Sequence, residues 1–224
     1  MNLTEALGNY AGLYLNESND WYCWRKLNLS KLPQGIHIDS KLNQYHQNLS
    51  LKDKLSQKFS VSDSLQKVEL TRYYVSTWGG IHGNNKEKIK CYALSKAADL
   101  INNESSGIAS WSKALSMRDH KKYAIYDARV AFSLNLLQIA SNVLRPVLYP
   151  LLPSRNTCAD KWKSLILKHA VKSCWDKASP SNFYTDYINI LTNSSKKLEC
   201  FITTLEMLLF AKPQDLYNKA SMMK

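Results

Sequence analysis

The residues of this chain best suited to chemistry lie in one stretch, residues 107–134, which reads GIASWSKALSMRDHKKYAIYDARVAFSL. Lys113 comes first, a basic connection with Arg118, His120, Lys121 and Lys122 follows, and Asp127 stands where a strongly apolar helix opens. A carboxylate fixed at such a point can stabilise the positive charge that builds on a sugar as a glycosidic bond breaks, or position the attacking water. It can equally do no more than cap the helix, and the two roles are compatible. Lys113 has two readings. Desolvated, its amine could attack the sugar carbon and form a Schiff base; solvated, it is a helix lysine or a phosphate contact. Arg118, Lys121, Lys122 and Arg129 are candidates for phosphate contacts, which position a nucleic acid without reading its sequence. The alternative for each is an ordinary surface cation.

A second candidate is Trp78-Gly79-Gly80-Ile81-His82-Gly83-Asn84. Glycines let backbone approach a ligand, and Trp78 or His82 could meet an extruded base or fill the gap it leaves. Trp111 could stack in the same way. The competing reading is a glycine turn with tryptophans in the core. No metal site is expected: the histidines lack ligand spacing, and the five cysteines, Cys23, Cys91, Cys158, Cys174 and Cys200, contain no C-x-x-C pair. Phosphate-binding loops and dinucleotide fingerprints are absent, so no cofactor is expected.

The charge fits a polyanionic partner. Thirty Lys+Arg against 18 Asp+Glu give a net +12, interleaved with 13 Tyr and 6 Trp that can stack on bases. An apolar content of 45% excludes a disordered chain, and 7 Gly with 6 Pro exclude a collagen-like one. The most apolar run, 201–211, is interrupted by Thr203, Thr204 and Glu206 and is too short to span a bilayer. The first fifteen residues lack a basic leader region, and a cytoplasmic protein with free thiols, not bound to a membrane and monomeric, is expected.

The elements that must position these residues are helices. Helical periodicity runs through 4–15, 40–59, 62–76, 86–101, 108–117, 127–144, 158–176, 182–192 and 197–211, with a long loop over 21–39. Nothing reads as a run of paired strands, so the expected class is mainly α. The expected organisation is an extension over 1–61 and a helical core over 62–224.

Ser112-Lys113-Ala114 followed by Ile125-Tyr126-Asp127-Ala128-Arg129-Val130 resembles the lysine and aspartate elements of the helix–hairpin–helix DNA glycosylase superfamily. The likeness is stronger to its 8-oxoguanine glycosylase-like branch, and covers about residues 62–211. The glycine-rich hairpin of that superfamily is absent from Ile108-Ala109-Ser110-Trp111-Ser112, and fourteen residues separate Lys113 from Asp127, fewer than is usual there. The resemblance implies a two-lobed helical bundle that binds double-stranded DNA, flips a damaged or modified base and cuts its N-glycosidic bond. Asp127 and Lys113 would be the catalytic pair, and Trp78, His82 and Trp111 would line the base pocket. Members of that branch near phage-defence loci extend the implied targets to hypermodified phage bases, such as a glucosylated hydroxymethylcytosine. Two other readings stay open: a DNA-binding protein of the same fold without catalysis, and an enzyme that modifies or transfers a base in the same pocket.

Overall fold

The computed structural model describes residues 1–15, 20–24 and 26–223. Among them the chain is mainly α. The helices are α1 (Leu3–Leu15), α2 (Gln44–Val61), α3 (Ser64–Arg72), α4 (Lys86–Leu94), α5 (Ala97–Ile101), α6 (Ile108–Arg118), α7 (Ala128–Ala140), α8 (Ala159–Lys172), α9 (Phe183–Lys197), α10 (Ile202–Ala211) and α11 (Pro213–Ser221). Two residues each of β1 (Val147–Leu148) and β2 (Asp176–Lys177) pair in parallel. No helix among the described residues is long and apolar enough to cross a membrane.

The chain divides into two compact units, one made of Met1–Trp21 with Tyr126–Lys224 and the other of Tyr22–Ile125. The expected boundary at residues 61 and 62 falls inside the second unit. The first segment of the chain is therefore not a free extension: α1 packs on α9 and α7.

In the discontinuous unit α7 is the central helix, with every residue from Val130 to Ile139 buried. A helix apolar all round belongs inside, and its polar residues must find partners there. Ser133 donates to the Leu209 carbonyl, and the other two find partners on the strand that follows. Gln138 exchanges two hydrogen bonds with the Val147 backbone, both at 2.8 Å, and Asn135 exchanges two with Tyr149, at 3.0 and 3.1 Å. Two side-chain amides thus act as a partner strand for 147–149, and the Tyr126 hydroxyl donates to the Pro150 carbonyl at 2.8 Å. The helix stops at Ala140, four residues before the predicted end, and Asn142 takes a positive φ of 46°. Helices α1, α8, α10 and α11 pack around α7.

In the continuous unit α6 is the buried helix, and α2, α4 and the turn after α3 pack on it. Leu27, Ile36, Leu51, Leu55, Leu70, Tyr74, Met117 and Ile125 form its main apolar cluster. The predicted helix over 86–101 is two helices, because Ser95 and Lys96 leave helical geometry with ψ of 155° and 151°. The predicted helix over 62–76 tightens its start with an Asp63–Gln66 capping box and widens into a π-helical turn over Tyr73–Trp78.

Candidate functional site

Asp127 is half-buried and extended, with φ −123° and ψ −177°, immediately before α7. Its Oδ1 accepts from the backbone N–H of Arg129 at 3.0 Å and of Val130 at 3.2 Å. Two orphan donors of the helix end hold the carboxylate in one orientation, and the positive end of the helix dipole favours its charge. The expected capping role is present, and it also fixes a carboxylate in space.

Around Asp127 the same unit gathers groups that sequence reasoning did not select. Tyr187 on α9 is fully buried, and its ring meets those of Tyr126 at 5.4 Å and Tyr184 at 6.2 Å between centroids. Burial first, then the negative fields of Glu206, Tyr184 and Asp127, push the Tyr187 phenol well above its ordinary pKa. Tyr187 is a neutral hydroxyl acted on by two carboxylates. Glu206 is only 3% exposed although it sits in the most apolar helix, α10. An acid placed among Thr203, Thr204, Leu205 and Met207 was the available sequence signal, because a buried carboxylate is costly unless partnered.

Arg129 is engaged within the protein. Its Nε donates to the Phe210 carbonyl at 2.6 Å and one terminal nitrogen to the Ala211 carbonyl at 3.3 Å, with the guanidinium over the Phe210 ring at 5.0 Å. It closes the C-terminal end of α10, where carbonyls lack helical partners. Arg118 is diverted in the same way. Its two terminal nitrogens donate to the Tyr92 carbonyl and, at 2.8 Å, to the Ser95 carbonyl, which closes α4, and it lies over Phe59 at 5.5 Å. Burial lowers its pKa from the ordinary value. Lys121 and Lys122, by contrast, are exposed in the turn that Asp119 organises through both backbone N–H groups, at 3.1 and 3.2 Å. They are the members of the predicted phosphate-binding set whose charges face solvent. His120 between them and Arg118 is buried and pairs with Asp53 at 3.3 Å.

Lys113 lies in the middle of α6, not at a helix start, and is 5% exposed, which sets aside the solvated-lysine reading. Gly79 explains how the second candidate segment reaches it. A Cβ at Gly79 would stand 2.9 Å from Lys113 Cδ and Cε and 2.6 Å from the Val75 carbonyl oxygen, so only glycine lets the chain cross the lysine stem. Asn84 also donates to the Ser110 hydroxyl at 2.8 Å. The glycine segment and α6 therefore belong together in the continuous unit, whereas Asp127 belongs to the discontinuous one.

The aromatic candidates divide. Trp111 is fully buried, and its indole N–H donates to the Ser106 carbonyl at 3.1 Å, so it is a core residue and offers no face to a base. Trp78 stacks on Tyr74 at 4.3 Å and 6° and donates to Asn48 at 3.0 Å, which commits one ring face and its N–H to the interior. His82 is exposed on the loop. Among the described residues no group of three His, Cys, Asp or Glu could hold a metal, and burial raises the Cys200 thiol to about 11.

No family model matches the chain, and neither a curated protein nor a solved structure matches it.

Proposed function

We propose that the chain is a DNA N-glycosylase of helix–hairpin–helix type, which extrudes a damaged or modified base and cuts its bond to the sugar. The observation that carries this reading is Asp127, a half-buried carboxylate locked by two backbone donors at the head of α7. As the bond between C1′ and the base nitrogen breaks, its electron pair leaves with the base and positive charge develops on the sugar. A fixed carboxylate stabilises that charge, and one that need not reorganise does so best. Water then adds at C1′ and gives up a proton, leaving a free base and an abasic site. The net +12 supports a DNA partner, and the exposed Lys121 and Lys122 can meet its phosphates. Lys113 offers a second route, in which its amine replaces water and a Schiff base forms with the sugar. The target is an oxidised guanine or a hypermodified base.

A DNA-binding protein without catalysis is the second reading, favoured by the fact that Asp127 accepts the Arg129 and Val130 backbone N–H groups as a plain helix cap does. The deciding experiment incubates the protein with duplexes carrying 8-oxoguanine, glucosylated hydroxymethylcytosine or unmodified bases, and measures released base and abasic sites. Release from one modified duplex and not from the unmodified one is expected. Salt-sensitive binding with no release from any duplex supports the second reading.

A further inference from the structure

We infer that the continuous unit carries a separate pocket for a single nucleobase that bears both an amino group and a carbonyl oxygen, as guanine and cytosine do. The pocket, of about 290 Å³, lies between the turn at Pro33–Ile36 and one face of the helix that begins at Ser64.

The turn wall is built and fastened. Ile36 N–H donates to the Pro33 carbonyl at 3.0 Å, and Gly35 takes the positive φ of 75° that the turn requires. The Lys58 ammonium donates to the Gln34 carbonyl, which leaves it two further N–H groups. The helix wall presents Gln66, Glu69, Leu70 and Tyr73, positions i, i+3, i+4 and i+7 of one face. Tyr73 is half-buried, its pKa pushed up to about 12 by burial. Its hydroxyl, the Glu69 carboxylate and the Gln34 side-chain amide make no hydrogen bond to any described residue. The Tyr73 hydroxyl lines the cavity and stays open to solvent, so it is available to a bound group, and the complementary side chains gathered on the two walls are the observation that points to a ligand.

The wall chemistry selects the class. Pro33 and the Tyr73 ring give apolar contact for a base face. Glu69 can only accept, which suits an exocyclic amino group, and Lys58 can only donate, which suits a carbonyl oxygen. Guanine and cytosine carry both on one edge; thymine lacks the amino group and adenine the carbonyl. Gln34 and Gln66 serve either polarity. The one acidic and one basic side chain cancel, so the pocket does not ask for a phosphate of its own. The inference is independent of base excision, because it uses neither Asp127 nor Lys113.

The test is NMR on the full chain titrated with free deoxyguanosine, deoxycytidine, thymidine and deoxyadenosine, and with glucose as a polyol control. Saturable shifts at Leu70 and Tyr73 with deoxyguanosine or deoxycytidine, at least tenfold tighter than with thymidine or deoxyadenosine, are expected. Glu69→Gln, on an exposed helix face, should weaken them about tenfold with an unchanged melting temperature, and Tyr73→Phe should also weaken them. A trinucleotide with a central guanine distinguishes the source. Tighter binding than the nucleoside assigns the pocket to a base within a strand, and equal binding assigns it to a free nucleoside. Shifts that do not saturate, equal binding of thymidine, or tighter binding of glucose would overturn the inference.

Discussion

Replacing Arg129 separates a structural arginine from a DNA-binding one. In Arg129→Leu the carbonyls of Phe210 and Ala211 lose their donors, and the Phe210 ring loses the guanidinium stacked on it at 5.0 Å. A hydrogen bond from a charged group contributes about 1.5–3 kcal/mol. The 2.6 Å bond counts fully and the 3.3 Å bond toward the low end or below it. Arg129 is half-buried, so solvent screens part of this. The expected loss is about 2–4 kcal/mol, which at roughly 2–4 °C per kcal/mol for a chain of this size lowers the melting temperature by about 4–16 °C. Arg129→Lys keeps the charge but not the planar fork and should recover only part of the loss. Calorimetry gives the stability, and DNA binding across a salt series gives the number of phosphate contacts. The reasoning predicts a lower melting temperature with an unchanged slope of log affinity against log salt. A melting temperature within 1 °C of the parent, together with a slope smaller by about 1, would refute it and restore the phosphate contact.

Removing Lys121 and Lys122 together should have the opposite signature, a slope flatter by about 1–2 and an unchanged melting temperature, since both are exposed; an unchanged slope places them off the DNA. The two ends of the described chain are joined by Asp215, which accepts from the Tyr10 and Tyr14 hydroxyls at 2.8 and 2.9 Å and pairs with Lys219 at 3.3 Å. Burial alone would raise the Asp215 pKa, but the two tyrosine hydrogen bonds and the Lys219 charge outweigh it and hold the group below the ordinary carboxylate range. Its contribution is thus present at neutral pH and lost as pH falls below about 4. The melting temperatures of the parent and Asp215→Asn should differ at pH 7, and the difference should shrink as pH falls below about 4; a difference that grows as pH falls would contradict this. Borohydride trapping decides between the two nucleophiles: if Lys113 attacks the sugar, protein becomes covalently bound to DNA and Lys113→Gln abolishes this, whereas with water no adduct forms. Trapping that survives in Lys113→Gln contradicts both routes and makes Lys96 the next amine to test.

Local chemistry was legible in the sequence and remote partnership was not. Asp127 before an apolar helix reads as an N-cap because capping is decided within three residues. The helix that follows reads as buried because it is apolar on all faces. Arg129 and Arg118 could not be read, because their acceptors are helix-end carbonyls 81 and 26 positions away, among them those of Phe210 and Tyr92. Lys113 carries no mark of burial in its own neighbourhood; Gly79, far away in the chain, is what admits it. The break at Ser95–Lys96 interrupts an unbroken apolar stripe, so periodicity runs through it. Helix α11 lies beyond the predicted helices, and Pro213 opens it at a first helical position, where proline is well tolerated. Glu206 and Tyr187 join Asp127 only through the packing of α9 and α10, which no local pattern encodes.

The central claim rests on the Asp127 carboxylate and is tested most directly by single-turnover base release from the modified duplex that the parent protein cleaves. Asp127→Asn can still accept both backbone hydrogen bonds and should fold with a change of less than about 1 kcal/mol. Without the charge, release should slow at least about a hundredfold, corresponding to about 2.7 kcal/mol of transition-state stabilisation, while DNA binding survives. Release at the parent rate in a folded Asp127→Asn would leave Asp127 a helix cap and contradict the account.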